Sequence, residues 1–172
     1  MQIFLYPDLA HHLIEHYLNQ LQVANTNIHN YNLGASYCRK SSFKGGICIF
    51  VHRNLNFTTI KLNAYCSDYN TEICAVKLHS ILPHISILSI YIAPTGNIAH
   101  FLHTTDITLK FLHTSKIEFI TCGDININCL TDTQRKNQLN SLLISYNPFH
   151  MAVNTTSALL DESDGALQTN KT

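Results

Sequence analysis

A chain of 172 residues that is 45% hydrophobic is long enough for one substantial core and too short for two ordinary domains, so a single domain over 1–158 is expected. Eleven Lys and Arg balance eleven Asp and Glu, which excludes a global basic field that would advertise a nucleic-acid partner, though a local groove can still be basic. Six cysteines without any C-x-x-C spacing read as reduced thiols, several of them inside apolar runs.

The N-terminal MQIFLYPDLAHH has an early Pro and no basic segment, so it does not read as a signal peptide. The longest apolar stretch, ILPHISILSIYIA at 81–93, contains Pro83 and His84 and is too short to span a bilayer. These features predict an intracellular protein of cytoplasm or nucleus with no membrane partner. Leu9, Leu13, Ile14, Tyr17, Leu18 and Leu21 recur at helical spacing and predict a helix over 9–23, followed by an Asn-rich loop at 25–32. ICIFVHR at 47–53, introduced by Gly45-Gly46, and FTTIKL at 57–62 read as a hairpin. TEICAVKLH at 71–79 and ISILSIYIA at 85–93 read as a second pair of strands around the turn Leu82-Pro83-His84. The period then switches. Ile98 to Leu112 predicts a helix, IEFITCG at 117–123 a strand, 131–146 a helix capped by Thr131 or Asp132, and FHMAV at 149–153 a last strand. From Leu159 the sequence turns polar and loses its period, which predicts a loose tail over 159–172.

Three places invite chemistry. The apolar run 119–123 ends in Gly123-Asp124-Ile125-Asn126-Ile127-Asn128, where alternation puts Asp124, Asn126 and Asn128 on one face and the isoleucines on the other. Gly123 would let a ligand approach closely at a strand's C-terminal end; the alternative is an Asx-rich turn. Tyr91 ends ISILSIY and places a hydroxyl at the same edge, unless its ring is packing alone. Glu15 lies among His11, His12 and His16, as a solvated helix residue or beside a zinc pair of His12 and His16 on one helical face.

Taken in order, SYCRKSSFKGGICIFV at 36–51, TEICAVKL at 71–78, ILSIYIAPTGN at 87–97, ITCGDININ at 120–128 and KNQLNSLLISYN at 136–147 carry a resemblance. The chain resembles the endonuclease/exonuclease/phosphatase superfamily, and within it the endonuclease domain of insect-type non-LTR retrotransposons, the endonuclease-reverse transcriptases. The resemblance implies an α/β (α+β) fold: a four-layered sandwich of two mostly antiparallel sheets flanked by helices, deoxyribonuclease I-like and here incomplete. It also implies a Mg²⁺- or Mn²⁺-dependent phosphodiesterase site, DNA as substrate, and a reverse transcriptase domain as partner in an intact element. Glu15 matches the family's metal-binding Glu, with Ile14 where Thr or Ser is usual. Tyr91 matches the phosphate-contacting Tyr, and Asp124 and Asn126 match the Gly-Asp-Phe-Asn pair, with Ile125 in place of Phe.

The residue types suit that chemistry. A hard carboxylate such as Glu15 suits Mg²⁺, Asp124 is fit to orient or deprotonate a water, and the neutral Asn126 can hold a phosphate oxygen without adding negative charge. The sequence also departs from the family. No Asn-bearing strand convincingly precedes Glu15, Ile92 replaces the Arg common after the Tyr, and Asp164 in ESDGA is followed by Gly where the family has a Ser-Asp-His. No His follows His150, so the family's His partner is missing. The expectation is a partial copy of a DNA-nicking endonuclease, cut at both ends and weak or inactive. A non-catalytic binding module on the same scaffold and a phosphatase of small substrates are the alternatives.

Overall fold

The computed structural model describes residues 2–6, 9–42, 44–79, 85–115, 118–126, 133–146 and 151–154. Among the described residues nine strands form two sheets: β1 (Gln2–Tyr6), β2 (Ala10–Ile14), β3 (Tyr31–Tyr37) and β4 (Ile47–His52) in the first, β5 (Phe57–Ile60), β6 (Glu72–Leu78), β7 (Ile85–Tyr91), β8 (Glu118–Asp124) and β9 (Met151–Asn154) in the second. The first sheet has the order β1-β2-β4-β3 and is antiparallel throughout. The second has the order β5-β6-β7-β8-β9, antiparallel as far as β7 and parallel from β7 to β9.

The sheets pack face to face. Ala10 and Ile14 of β2, Ile47, Ile49 and Val51 of β4, and Cys74, Val76, Leu78, Ile87 and Cys122 of the second sheet share one buried cluster between them. Outside the first sheet, Val23 of α1 (Gln20–Asn25) joins Leu13, Cys48 and Phe50. Outside the second, α2 (Ile98–Thr114) and α3 (Thr133–Tyr146) lay Phe101, Leu109, Leu112, Leu139 and Leu143 over Leu88, Ile90 and Phe119. The chain is therefore an α/β sandwich of two sheets with helices on the outer faces. Among the described residues no helix is long and apolar enough to cross a membrane.

Several expectations give way here. Residues 9–23 are not one helix: β2 takes Ala10–Ile14, and a capping box between Asn19 and Gln22 starts α1 only at Gln20. β2 lies between β1 and β4 with Leu13 buried on one face and Ala10 and Ile14 on the other, so its sequence shows no alternation and mimics a helical period. His12 and His16 accordingly share no helical face. The hairpin over 47–62 is also absent, because β4 belongs to the first sheet and β5 to the second; a short polar link serves a sheet crossing as well as a hairpin. The loop at 25–32 shrinks to 26–30 between α1 and β3. β3 contains Gly34, where a Cβ would crowd Val76 of the facing sheet at 2.8 Å and Val51 at 2.9 Å, so a strand that local propensity disfavours is required by the approach of the sheets. β6, β7, β8, α2 and α3 lie where the sequence puts them, and β9 covers the described part of 149–153. The turn at 82–84, the caps Thr131 and Asp132, residues Ile127 and Asn128, Asp164 and the tail 159–172 lie outside the described residues.

Candidate functional site

The site grows out of one register. Glu72 of β6 is the Cα partner of Tyr91 on β7, and Tyr91 is the partner of Asp124 on β8, so three chemically active residues form a row across three neighbouring strands. Alternation puts this row on the face turned toward the first sheet, because Cys74, Ile87 and Cys122 of the same strand faces fill the core between the sheets. The row ends β7 and β8 and begins β6, so it stands at the mouth of the sandwich.

From the first sheet, the chain leaving β2 brings Glu15 to the same mouth. Tyr91 Oη donates a hydrogen bond to Glu15 Oε1, and Tyr17 Oη lies 3.4 Å from Glu15 Oε2. Asn126 closes the other side: its backbone N–H donates to Asp124 Oδ1 at 3.1 Å, and its carboxamide donates to the Ile92 carbonyl at 2.9 Å. The structure thus gathers Glu15, Tyr91, Asp124 and Asn126 at one end of the two sheets. The alternation expected to run past Asp124 stops there, since Asn126 has φ 46°. The role expected of Gly123 is corrected as well. A Cβ there would collide with the Ile90 carbonyl, so it is the neighbouring strand that approaches closely, not a ligand.

Two further residues complete the mouth. Arg39, from the loop after β3, donates through Nε to Glu72 Oε1 at 2.5 Å and lies with its guanidinium carbon 4.2 Å from the centroid of the Tyr69 ring and 5.8 Å from that of Tyr91. Glu72 is fully buried, and its other oxygen accepts from the Gly46 N–H at 2.8 Å. A sequence signal for Glu72 existed: it stands two before Cys74 on an inward-facing period. Arg39 had only the neighbouring Gly45-Gly46, both left-handed at φ 117° and 84°, as a marker.

Burial raises the Tyr91 phenol well above its usual range, and its bond to the Glu15 carboxylate pushes the same way, so the hydroxyl stays a donor. Burial also raises the Glu72 carboxyl, against the opposing pull of Arg39 and the Gly46 amide. The Tyr17 phenol is raised chiefly by the charge of Glu15 beside it. Of five non-glycine residues with positive φ among those described, Glu15, Tyr17, Tyr69 and Asn126 surround this mouth, a concentration of backbone strain of the kind found at functional sites.

The donor set bears on a metal directly. Among the described residues no three His, Cys, Asp or Glu side chains are grouped to hold one. Glu15 offers a half-buried hard oxygen, which fits an ion such as Mg²⁺ that retains most of its waters and takes one or two carboxylates from the protein. Among the described residues the thiols offer no alternative centre: Cys38, Cys48, Cys66, Cys74 and Cys122 are free, and burial pushes Cys48 and Cys122 up to about 12. Comparison with family models, with curated proteins and with solved structures finds no match for this chain.

Proposed function

We propose that this chain is a deoxyribonuclease I-like endonuclease domain of the non-LTR retrotransposon type, which hydrolyses phosphodiester bonds of DNA with Mg²⁺ or Mn²⁺ and works beside a reverse transcriptase domain in an intact element. The observation that carries the reading is the convergence of Glu15, Tyr91, Asp124 and Asn126, from three separate parts of the sequence, on one mouth of a two-sheet sandwich. The loop that delivers Arg39 also carries exposed Lys40 and Lys44, a local basic rim that a chain of zero net charge can still turn toward a phosphate backbone.

In this reading each side chain has a task that its surroundings suit. Glu15 would hold the metal ion, which when bound withdraws charge from the scissile phosphate and its leaving oxygen. Asp124, almost wholly buried and accepting from the Asn126 amide, orients the attacking water and takes its proton. Tyr91, kept protonated, is a donor at the mouth, and Asn126 is held by Ile92 with a neutral carboxamide facing an anionic substrate. A single metal carboxylate binds weakly, so turnover is expected to be low.

The test is nicking of supercoiled plasmid in millimolar Mg²⁺ or Mn²⁺. The expected result is slow, metal-dependent nicking that disappears in Asp124→Ala. Nicking that survives Asp124→Ala would place the chemistry elsewhere, and DNA binding without any metal-dependent nicking would leave a binding scaffold.

A further inference from the structure

We infer that Arg39 is a positioning residue of this mouth, setting the orientation of Tyr91 and through it the Glu15 carboxylate. The inference rests on the reading above, in which Glu15 is the metal carboxylate. Arg39 itself is in no position to touch substrate. Its side chain is 4% exposed, and Nη2 is buried with no hydrogen-bond partner among the described residues.

What the guanidinium does touch is specific. Nε serves Glu72, Nη1 serves the Lys44 carbonyl, and its face lies against the rings of Tyr69 and Tyr91. Glu72, directly beside Tyr91 in the register, then accepts from the Gly46 amide. The Gly45 and Gly46 carbonyls in turn accept from the backbone N–H groups of Tyr17 and His16 at 3.0 and 3.4 Å. Glu15 is therefore braced twice from one cation: through the Tyr91 hydroxyl, and through the chain that follows it.

The loop is built to deliver this group. Asp68, next to Tyr69, accepts from the amides of Lys40 and Ser41 at 3.1 and 3.0 Å, from Ser41 Oγ at 2.6 Å and from Tyr37 Oη at 2.6 Å, clamping both sides of Arg39. A side chain at Gly45 would collide with the guanidinium, so the loop closes on Arg39 only as glycine. A buried ion pair is a poor source of stability compared with apolar residues of the same volume, which argues that this pair is retained for geometry. Lysine would keep the charge and lose both the flat stacking face and the fork that serves Glu72 and Lys44 separately.

Tyrosine labelled with ¹³C at Cζ, in the full chain, reports on the ring directly, with Tyr91→Phe identifying its resonance. In Arg39→Lys the Tyr91 resonance should move while those of Tyr65 and Tyr146 stay in place, a pattern that general loss of stability would not give. Mn²⁺ should broaden the Tyr91 resonance of the wild type, and Arg39→Lys should raise the half-broadening concentration about tenfold, the loss expected when a group supporting a metal ligand is disturbed. An unmoved Tyr91 resonance in folded Arg39→Lys overturns the proposal. Should that variant not fold, Tyr69→Leu, which removes the outer ring and leaves the ion pair, decides in the same way. Broadening that is absent, or unchanged in Glu15→Gln, removes the metal reading of Glu15, and the response of Tyr91 to Arg39→Lys still decides the positioning role.

Discussion

On the inner face of the second sheet, Glu72, Tyr91 and Asp124 form the row at the mouth, and Cys74, Ser89 and Cys122 form the row two residues deeper on the same three strands. Only about 7 Å of strand separates them, yet the first row carries two carboxylates and a phenol and the second carries only small neutral groups. A third row, Val76, Ile87 and Ile120, is aliphatic. The deep row also meets a titratable partner, for His12 of the first sheet lies 3.4 Å from Cys122 Sγ. That pair is uncharged: burial pushes the imidazole down to about 4 and the thiol up to about 12. Polarity alone does not mark a site here. Charge held by several partners, among strained backbone, marks the mouth; neutral contact within regular strands marks core.

Moving a carboxylate between the rows is the most severe way to break this comparison. Cys122→Asp places an acid between the sheets, against the His12 imidazole and the Leu88 carbonyl, and should cost at least about 4 kcal/mol or prevent folding. Asp124→Cys removes a carboxylate at the mouth and should cost about 1–2 kcal/mol. Urea unfolding of both variants measures the difference, and equal costs would mean that the two rows are electrostatically alike.

The imidazole of the deep row gives a pH test of intermediate size. Its pKa in the folded chain, about 4, lies below the ordinary 6.5, so between these values the unfolded chain binds more protons and stability rises with pH. The contribution is fully present above pH 6.5 and is lost as pH falls toward 4, amounting to on the order of 3 kcal/mol. His12→Gln should flatten most of that slope; His16, which burial also lowers, accounts for part of what remains. A slope unchanged in His12→Gln would show that the imidazole is more hydrated than its place between the sheets implies.

The same contrast explains what was legible in the sequence. The ends of β7 and β8 announce Tyr91 and Asp124 because each polar group leaves a long apolar run, and α2 and α3 announce themselves by their period. β2 is hidden because it is buried on both faces, and β3 because Asn32, Gly34 and Ser36 interrupt its β-forming residues, Gly34 for a reason that lies on the facing sheet. Glu15 is legible only through the family resemblance, since its contact with Tyr91 spans 76 positions of sequence. Arg39 is marked in the sequence only by the nearby Gly45-Gly46: what makes it part of the mouth is a loop closed by Asp68, Gly46 and Glu72. Pairings of that range depend on which sheet each strand joins, and local propensity is silent on that.

The smallest expected effect sharpens the comparison through the backbone. None of Cys74, Ser89, Cys122 or His12 has positive φ, whereas Tyr17 at the mouth has φ 56°. The residue is 48% exposed, and its hydroxyl reaches Glu15 only at 3.4 Å, so little packing offsets a left-handed conformation that costs most L-residues about 1–2 kcal/mol. Asparagine tolerates that conformation far better than an aromatic residue. Tyr17→Asn should therefore stabilise the chain by about 0.5–1 kcal/mol, seen as a rise of a few degrees in Tm. The amide of residue 17 still donates to the Gly45 carbonyl in the variant, so the brace on Glu15 is kept. If Tyr17→Asn instead destabilises by more than about 1 kcal/mol, the ring makes a contribution that its exposure conceals, and the mouth is held by packing more than by its polar network.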